Sequence, residues 1–102
     1  MKPMSMLTDL PVLVLGLGAS GLAMARWCAR QGAQVTVADT RAEPPQLAAL
    51  RSELPQVRFV PGAFTAALVE GTPVRAVLLS PGLSPAAVAP VVESARAAGL
   101  WV

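Results

Sequence analysis

An α/β fold is expected for this chain: a doubly wound sheet of about five parallel strands in the order 3-2-1-4-5, with helices on both faces. Three observations predict it. Short apolar runs without polar alternation recur between segments of helical periodicity, the pattern of strands buried on both faces and joined by crossover helices. Between the first run and its helix, Gly16, Gly18 and Gly21 are spaced G-x-G-x-x-G, and the next run ends in an acid, Asp39, 18 residues beyond Gly21. Apolar residues make up 54% of the 102 and charged residues only 14%, which suits a sheet covered on both sides.

The elements follow in order. Residues 1–10 are methionine-rich and aperiodic and read as a flexible lead-in, leaving 11–102 as a single Rossmann-like domain. Residues 11–15 form the first strand. A helix runs from 19 to 31, with Leu22, Ala25 and Ala29 toward the sheet, Arg26 and Arg30 on the wet face, and Gly32 as its stop. Residues 34–39 are the second strand. Pro44-Pro45 sets an extended segment and then a helix start, and Leu47, Leu50 and Leu54 give one apolar stripe before Pro55. Residues 57–60 are a short third strand, 64–69 one or two helical turns, and 74–80 the fourth strand. Pro90 is placed at the first position of a helix reaching Ala98, where it forfeits no helical hydrogen bond. Gly99 caps that helix, and residues 100–102 begin a fifth strand.

In such sheets a ligand sits beyond the carboxyl ends of the strands, where the strand order reverses. The loop at 16–21, Asp39-Thr40-Arg41 and Ser80-Pro81-Gly82 all fall on that edge. The glycines give the loop its chemistry. Gly16 permits the tight turn, Gly18 lets the backbone approach a diphosphate, and Gly21 lets the helix pack on the strand. The amides of Ala19 and Ser20 then point from a positive helix end toward anionic oxygens. Asp39 offers an acceptor to a ribose or base edge, Thr40 a hydroxyl and Arg41 a fork of donors. On this reading, replacing Asp39 with alanine weakens nucleotide binding and leaves thermal stability nearly unchanged.

What is missing narrows the function. The chain has no histidine, one cysteine and one lysine, Lys2. Histidine-based catalytic sets, the usual His/Cys metal sites and a G-x-x-x-x-G-K-[ST] phosphate loop are therefore excluded within it. Eight basic residues are scattered, with no aromatic platform, which argues against nucleic acid as a partner. Cys28 reads as a buried structural thiol in a reducing compartment. Glu43, Glu53, Glu70 and Glu93 read as solvated surface, and Trp27 and Trp101 as packing residues. The apolar run 10–25 loosely imitates a secretory signal, but that leaves the glycine spacing and Asp39 unexplained. Arg26 and Arg30 end the run short of the ~20 residues a membrane span requires, so no membrane partner is expected.

Three motifs occur in order: Gly-Leu-Gly-Ala-Ser-Gly-Leu-Ala at 16–23, Ala-Asp-Thr-Arg-x-x-Pro-Pro at 38–45 and Leu-Ser-Pro-Gly-Leu at 79–83. Together they resemble the amino-terminal domain of the Mur ligase family, most closely its D-glutamate-adding member, over residues 10–102. The resemblance implies a bacterial cytoplasmic enzyme of three domains, of which this chain matches the first. It also implies that ATP, with Mg2+, phosphorylates the carboxylate of UDP-MurNAc-L-alanine, and that the amine of D-glutamate then attacks the acyl phosphate in peptidoglycan precursor synthesis. By the same analogy Ala19 and Ser20 hold the diphosphate, with Gly18 at the same UDP-substrate site, Asp39, Thr40 and Arg41 hold the uridine, and Ser80, Pro81 and Gly82 line the same site. The ATP loop, metal ligands and catalytic lysine would then lie in the central and carboxy-terminal domains, so that this domain binds and does not catalyse. The competing readings are an NAD(P)-binding domain of an oxidoreductase or regulatory module, and a non-catalytic scaffold with a vestigial pocket.

Overall fold

The computed structural model describes residues 7–102. Four parallel strands, β1 (Pro11–Leu15), β2 (Gln34–Asp39), β3 (Arg58–Pro61) and β4 (Ala76–Leu79), form one sheet in the order β3-β2-β1-β4. The helices are α1 (Ala19–Arg30), α2 (Leu47–Glu53) and α3 (Pro85–Ala97), with a 3-10 turn at Ala66–Leu68. Four positions of the expected order are therefore present as a ladder. The expected fifth strand is reduced to a single parallel bridge between Ala76 and Trp101, in which Val77 N–H donates to the Trp101 carbonyl at 2.8 Å and Trp101 N–H to that of Arg75 at 3.3 Å. One bridge is not a ladder, but it lies on the far side of β4 from β1, the position that order 3-2-1-4-5 assigns.

The two faces of the sheet carry separate halves of the core. In register, Val12 and Val14 of β1 pair with Val35 and Val37 of β2. With Ala76 these pack against Leu22, Ala25 and Cys28 of α1 and Leu47 and Leu50 of α2. The alternate residues Leu13, Leu15, Ala38 and Val77 face Val88, Val91 and Ala95 of α3, together with Phe64 and Val69. Both pleat directions of β1 are thus apolar because both are covered. Gly32 has φ +85°, and the helix ends there with Gly32 N–H on the Ala29 carbonyl and Ala33 N–H on that of Cys28, a left-handed stop that favours glycine.

Three expectations shift. Of the lead-in, residues 1–6 lie outside the described residues, whereas 7–10 form a turn in which Asp9 N–H donates to the Gly32 carbonyl at 2.9 Å; Leu7 and Leu10 pack on the α1 side of the core. The last helix starts at Pro85, not Pro90. Ser84 caps it, its hydroxyl accepting from Ala87 N–H at 3.0 Å, and Pro85 takes the first-turn position that tolerates proline. Pro90 lies inside the helix on its exposed side, as does Ala86, whose carbonyl loses its usual donor. Trp27 and Trp101 are 50% and 57% exposed, so neither is an interior packing residue; their spacing on α1 and beyond Gly99 turns them to the sheet edge beside β4.

Candidate functional site

The site is built at the carboxyl edge of the sheet, where β1 separates β2 on one side from β4 on the other. The chain leaves β1 through Gly16, whose φ of +92° is readily adopted only by glycine. Gly16 N–H donates to the Ala38 carbonyl at 2.7 Å, and Ser80 N–H to the Leu15 carbonyl at 3.0 Å. Helix α1 then starts with Gly18 as its extended N-cap residue, no side chain capping it and no acid in its first turn. The first intrahelical bond is Leu22 N–H to the Gly18 carbonyl, 3.0 Å. The preceding amides of Ala19, Ser20 and Gly21 therefore have no helical acceptor, and the positive end of the helix dipole is uncompensated by any side chain of its own first turn.

The glycines differ sharply in what surrounds them. A Cβ on Gly21 would overlap the Gly16 carbonyl oxygen, and it would stand 3.0 Å from Ser80 Oγ. A Cβ on Gly16 would approach Ser80 Cβ and Oγ at 3.0 Å. By contrast, a Cβ on Gly18 would meet no protein atom within 4 Å. Folding itself therefore demands Gly16 and Gly21, while Gly18 leaves open space in front of the helix.

The three expected segments meet around one cleft of about 270 Å³. The loop supplies Gly18, Ala19 and Ser20, the end of β4 supplies Ser80, Pro81 and Gly82, and Arg41 stands across from them. Arg41 is the one charged side chain of the lining. Leu83, the last residue of the motif at 79–83 but not among the expected site residues, adds an apolar wall.

Asp39 and Thr40 do not line the cleft. Thr40 is exposed on the bend after β2, and Asp39 is buried behind Arg41, 2% exposed. Its carboxylate is occupied on both oxygens. Oδ2 accepts from Leu17 N–H at 2.8 Å and from Arg41 Nη2 at 2.8 Å, while Oδ1 accepts from Arg41 N–H and Nε at 2.9 Å each. The Arg41 guanidinium is the main cause holding the carboxyl down, at a pKa of about 2 against the ordinary 3.8, with the amides of Arg41 and Leu17 adding to it against the opposing effect of burial. The Arg41 side chain remains 54% exposed, and its other terminal nitrogen has no partner among the described residues. A buried carboxylate with four donors is a structural member, so the expectation that Asp39→Ala spares thermal stability is corrected: the change would leave the buried Leu17 N–H without its acceptor.

The remaining charged groups sit away from the cleft. Glu53 is exposed, as expected, and takes a forked ion pair from Arg26 across α1 and α2, with Nη2 at 2.6 and 2.8 Å from its oxygens. Glu70 accepts from Ser94 Oγ at 3.3 Å. Cys28 is 1% exposed and burial raises its pKa, the character of a structural thiol. No helix among the described residues is long and apolar enough to cross a membrane.

Comparison with known proteins bears on the same residues. A family model described as "Mur ligase MurD-like, N-terminal domain" matches residues 11–102. The chain is 68% identical over 97 residues to a UDP-N-acetylmuramoylalanine--D-glutamate ligase of Albidiferax ferrireducens, covering 95% of this chain and 19% of that one. It is 68% identical over 96 residues to the ligase of the same name from a Polaromonas species, covering 94% and 16% respectively. The Burkholderia mallei ligase of that name is 58% identical over 93 residues, 89% of this chain and 18% of the relative. The chain thus spans about a fifth, or less, of the length of these relatives.

Proposed function

The chain belongs to the MurD-like amino-terminal domain family of the Mur ligases, and from that premise we propose that it holds UDP-MurNAc-L-alanine by its nucleotide end. One observation carries the reading. Uncapped amides at the start of α1 and an outward-facing guanidinium border the same small cleft, which contains no acid of its own. Such a lining favours a diphosphate, because main-chain N–H groups and a planar fork of donors both match its oxygens. In this reading the amides of Gly18, Ala19 and Ser20 take the diphosphate. Arg41 and the exposed Thr40 flank the uridine, and Ser80, Pro81 and Gly82 form the opposite wall. The open space before Gly18 is where the anion comes closest to the backbone.

The activity belongs to the longer protein. Its chemistry would be the ATP- and Mg2+-dependent joining of D-glutamate to the substrate's terminal carboxylate, in the cytoplasmic stage of cell-wall precursor synthesis. The residues present here do not fit an ATP-phosphate loop, since Lys2 is the only lysine. This domain's part is to anchor one end of the substrate so that its reactive carboxylate is presented elsewhere.

The test is calorimetry, or ligand-observed NMR, of this chain with UDP, UDP-MurNAc-L-alanine and NAD. Weak binding of both uridine nucleotides is expected, because a small cleft contacts only part of the substrate. NAD binding tighter than UDP would replace this reading with that of a dinucleotide domain. No uridine-nucleotide binding by a folded sample would favour a scaffold.

A further inference from the structure

The Gly16 carbonyl and the Leu17 N–H are the two ends of one peptide group, and a side chain from each neighbouring strand holds each end. Ser80 Oγ, at the end of β4, donates to the Gly16 carbonyl at 2.9 Å. Asp39 Oδ2, at the end of β2, accepts from Leu17 N–H at 2.8 Å. In a trans peptide the C=O and N–H point in opposite directions, and β2 and β4 lie on opposite sides of β1. The topology therefore delivers an acceptor and a donor to the two sides where this peptide needs them. Gly16 and Gly21 fit the same arrangement, because a side chain on either would crowd Ser80 Oγ.

We propose that Asp39 and Ser80 are paired positioning residues, which orient the glycine loop for a diphosphate by clamping the Gly16–Leu17 peptide from its two ends. This inference rests on the reading of the cleft as a nucleotide-diphosphate site and assigns Asp39 a different task from direct contact with uridine. Rotation of the clamped peptide would break both bonds together. The next amides along the chain, those of Gly18, Ala19 and Ser20, inherit their direction from it. Asp39 also holds Arg41 by two side-chain bonds, so one carboxylate sets both the loop and the guanidinium that faces it.

The clamp is tested first in the ligand-free chain, by amide hydrogen exchange in wild type, Ser80→Ala and Asp39→Asn. Removing the Ser80 hydroxyl is expected to speed exchange at Leu17 roughly tenfold, although Ser80 does not touch that amide, while β1 and β2 amides keep their protection. Unchanged Leu17 protection in a folded Ser80→Ala protein would overturn the clamp, whatever the chain binds. The second arm is UDP affinity in the two single variants and the double variant. Each single change is expected to weaken UDP roughly five- to thirtyfold, and the double variant to be no more than about twofold weaker than the worse single one, because both release the same peptide. Losses that multiply would mean two independent ligand contacts and would overturn it. If wild type binds no UDP, the nucleotide reading fails and the exchange result alone decides the clamp. Should Asp39→Asn not fold, Ser80→Ala still supplies the deciding comparison.

Discussion

Asp39 couples the site to stability through its charge. Its carboxyl is held at a pKa of about 2 by the Arg41 guanidinium and two amides, below the ordinary 3.8. A carboxyl depressed on folding contributes stability above its unfolded value, and the contribution disappears as pH falls through the folded value. The difference is worth about 2 kcal/mol, lost between roughly pH 4 and pH 2. Denaturant unfolding at a series of acidic pH values should therefore show a step in wild type that Asp39→Asn flattens; parallel curves for the two proteins would show that Asp39 carries no such linkage. The loop glycines separate at the same scale. Gly21→Ala drives a methyl into the Gly16 carbonyl and should cost about 2 kcal/mol or more by overpacking, read as a lowered midpoint. Gly18→Ala meets open space and should cost about 1 kcal/mol or less as a poorer N-cap, while weakening UDP measurably.

At the scale of elements, α3 shows where propensity and capping point different ways. Pro90 removes a donor inside the helix, and at an exposed site this is tolerated because the freed carbonyl of Ala86 meets water. Pro90→Ala should raise stability by about 1–3 kcal/mol, whereas Ser84→Ala should lower it by about 1 kcal/mol through the lost cap; thermal melts of the two variants, shifting in opposite directions, check the assignment. The same helix explains how legible the chain was. β1, β2 and α1 were readable because apolar runs, glycine spacing and a glycine stop agree, each signal local. The start of α3 lies at Pro85 and not at Pro90: both prolines satisfy the first-turn rule, and only packing of Val88 against the sheet decides between them. The convergence of three segments on one edge followed from strand order alone. That Asp39 is buried under Arg41 did not, since no pattern in the sequence shows which way a carboxylate turns once two neighbours can donate to it.

On the scale of the whole molecule, the sheet keeps two surfaces apart. The cleft lies at the carboxyl ends of the strands, with Gly16 and Ser80 on its rim. Along the outer side of β4 an apolar groove of about 430 Å³ includes Leu7, Val12, Ala76, Leu78, Trp27 and Trp101. Because α1 runs antiparallel to β1, its first turn serves the cleft while Trp27, near its last turn, is carried to the opposite edge. Both indoles are half exposed, so their emission should lie near that of indole in water and be quenched readily by acrylamide. A uridine nucleotide filling the cleft should leave that emission and its quenching unchanged, while shifting the NMR amide signals of Ala19 and Ser20. A tryptophan response that tracks UDP occupancy would mean the two surfaces move together, and the glycine loop would then be one half of a larger rearrangement and not a preset cradle.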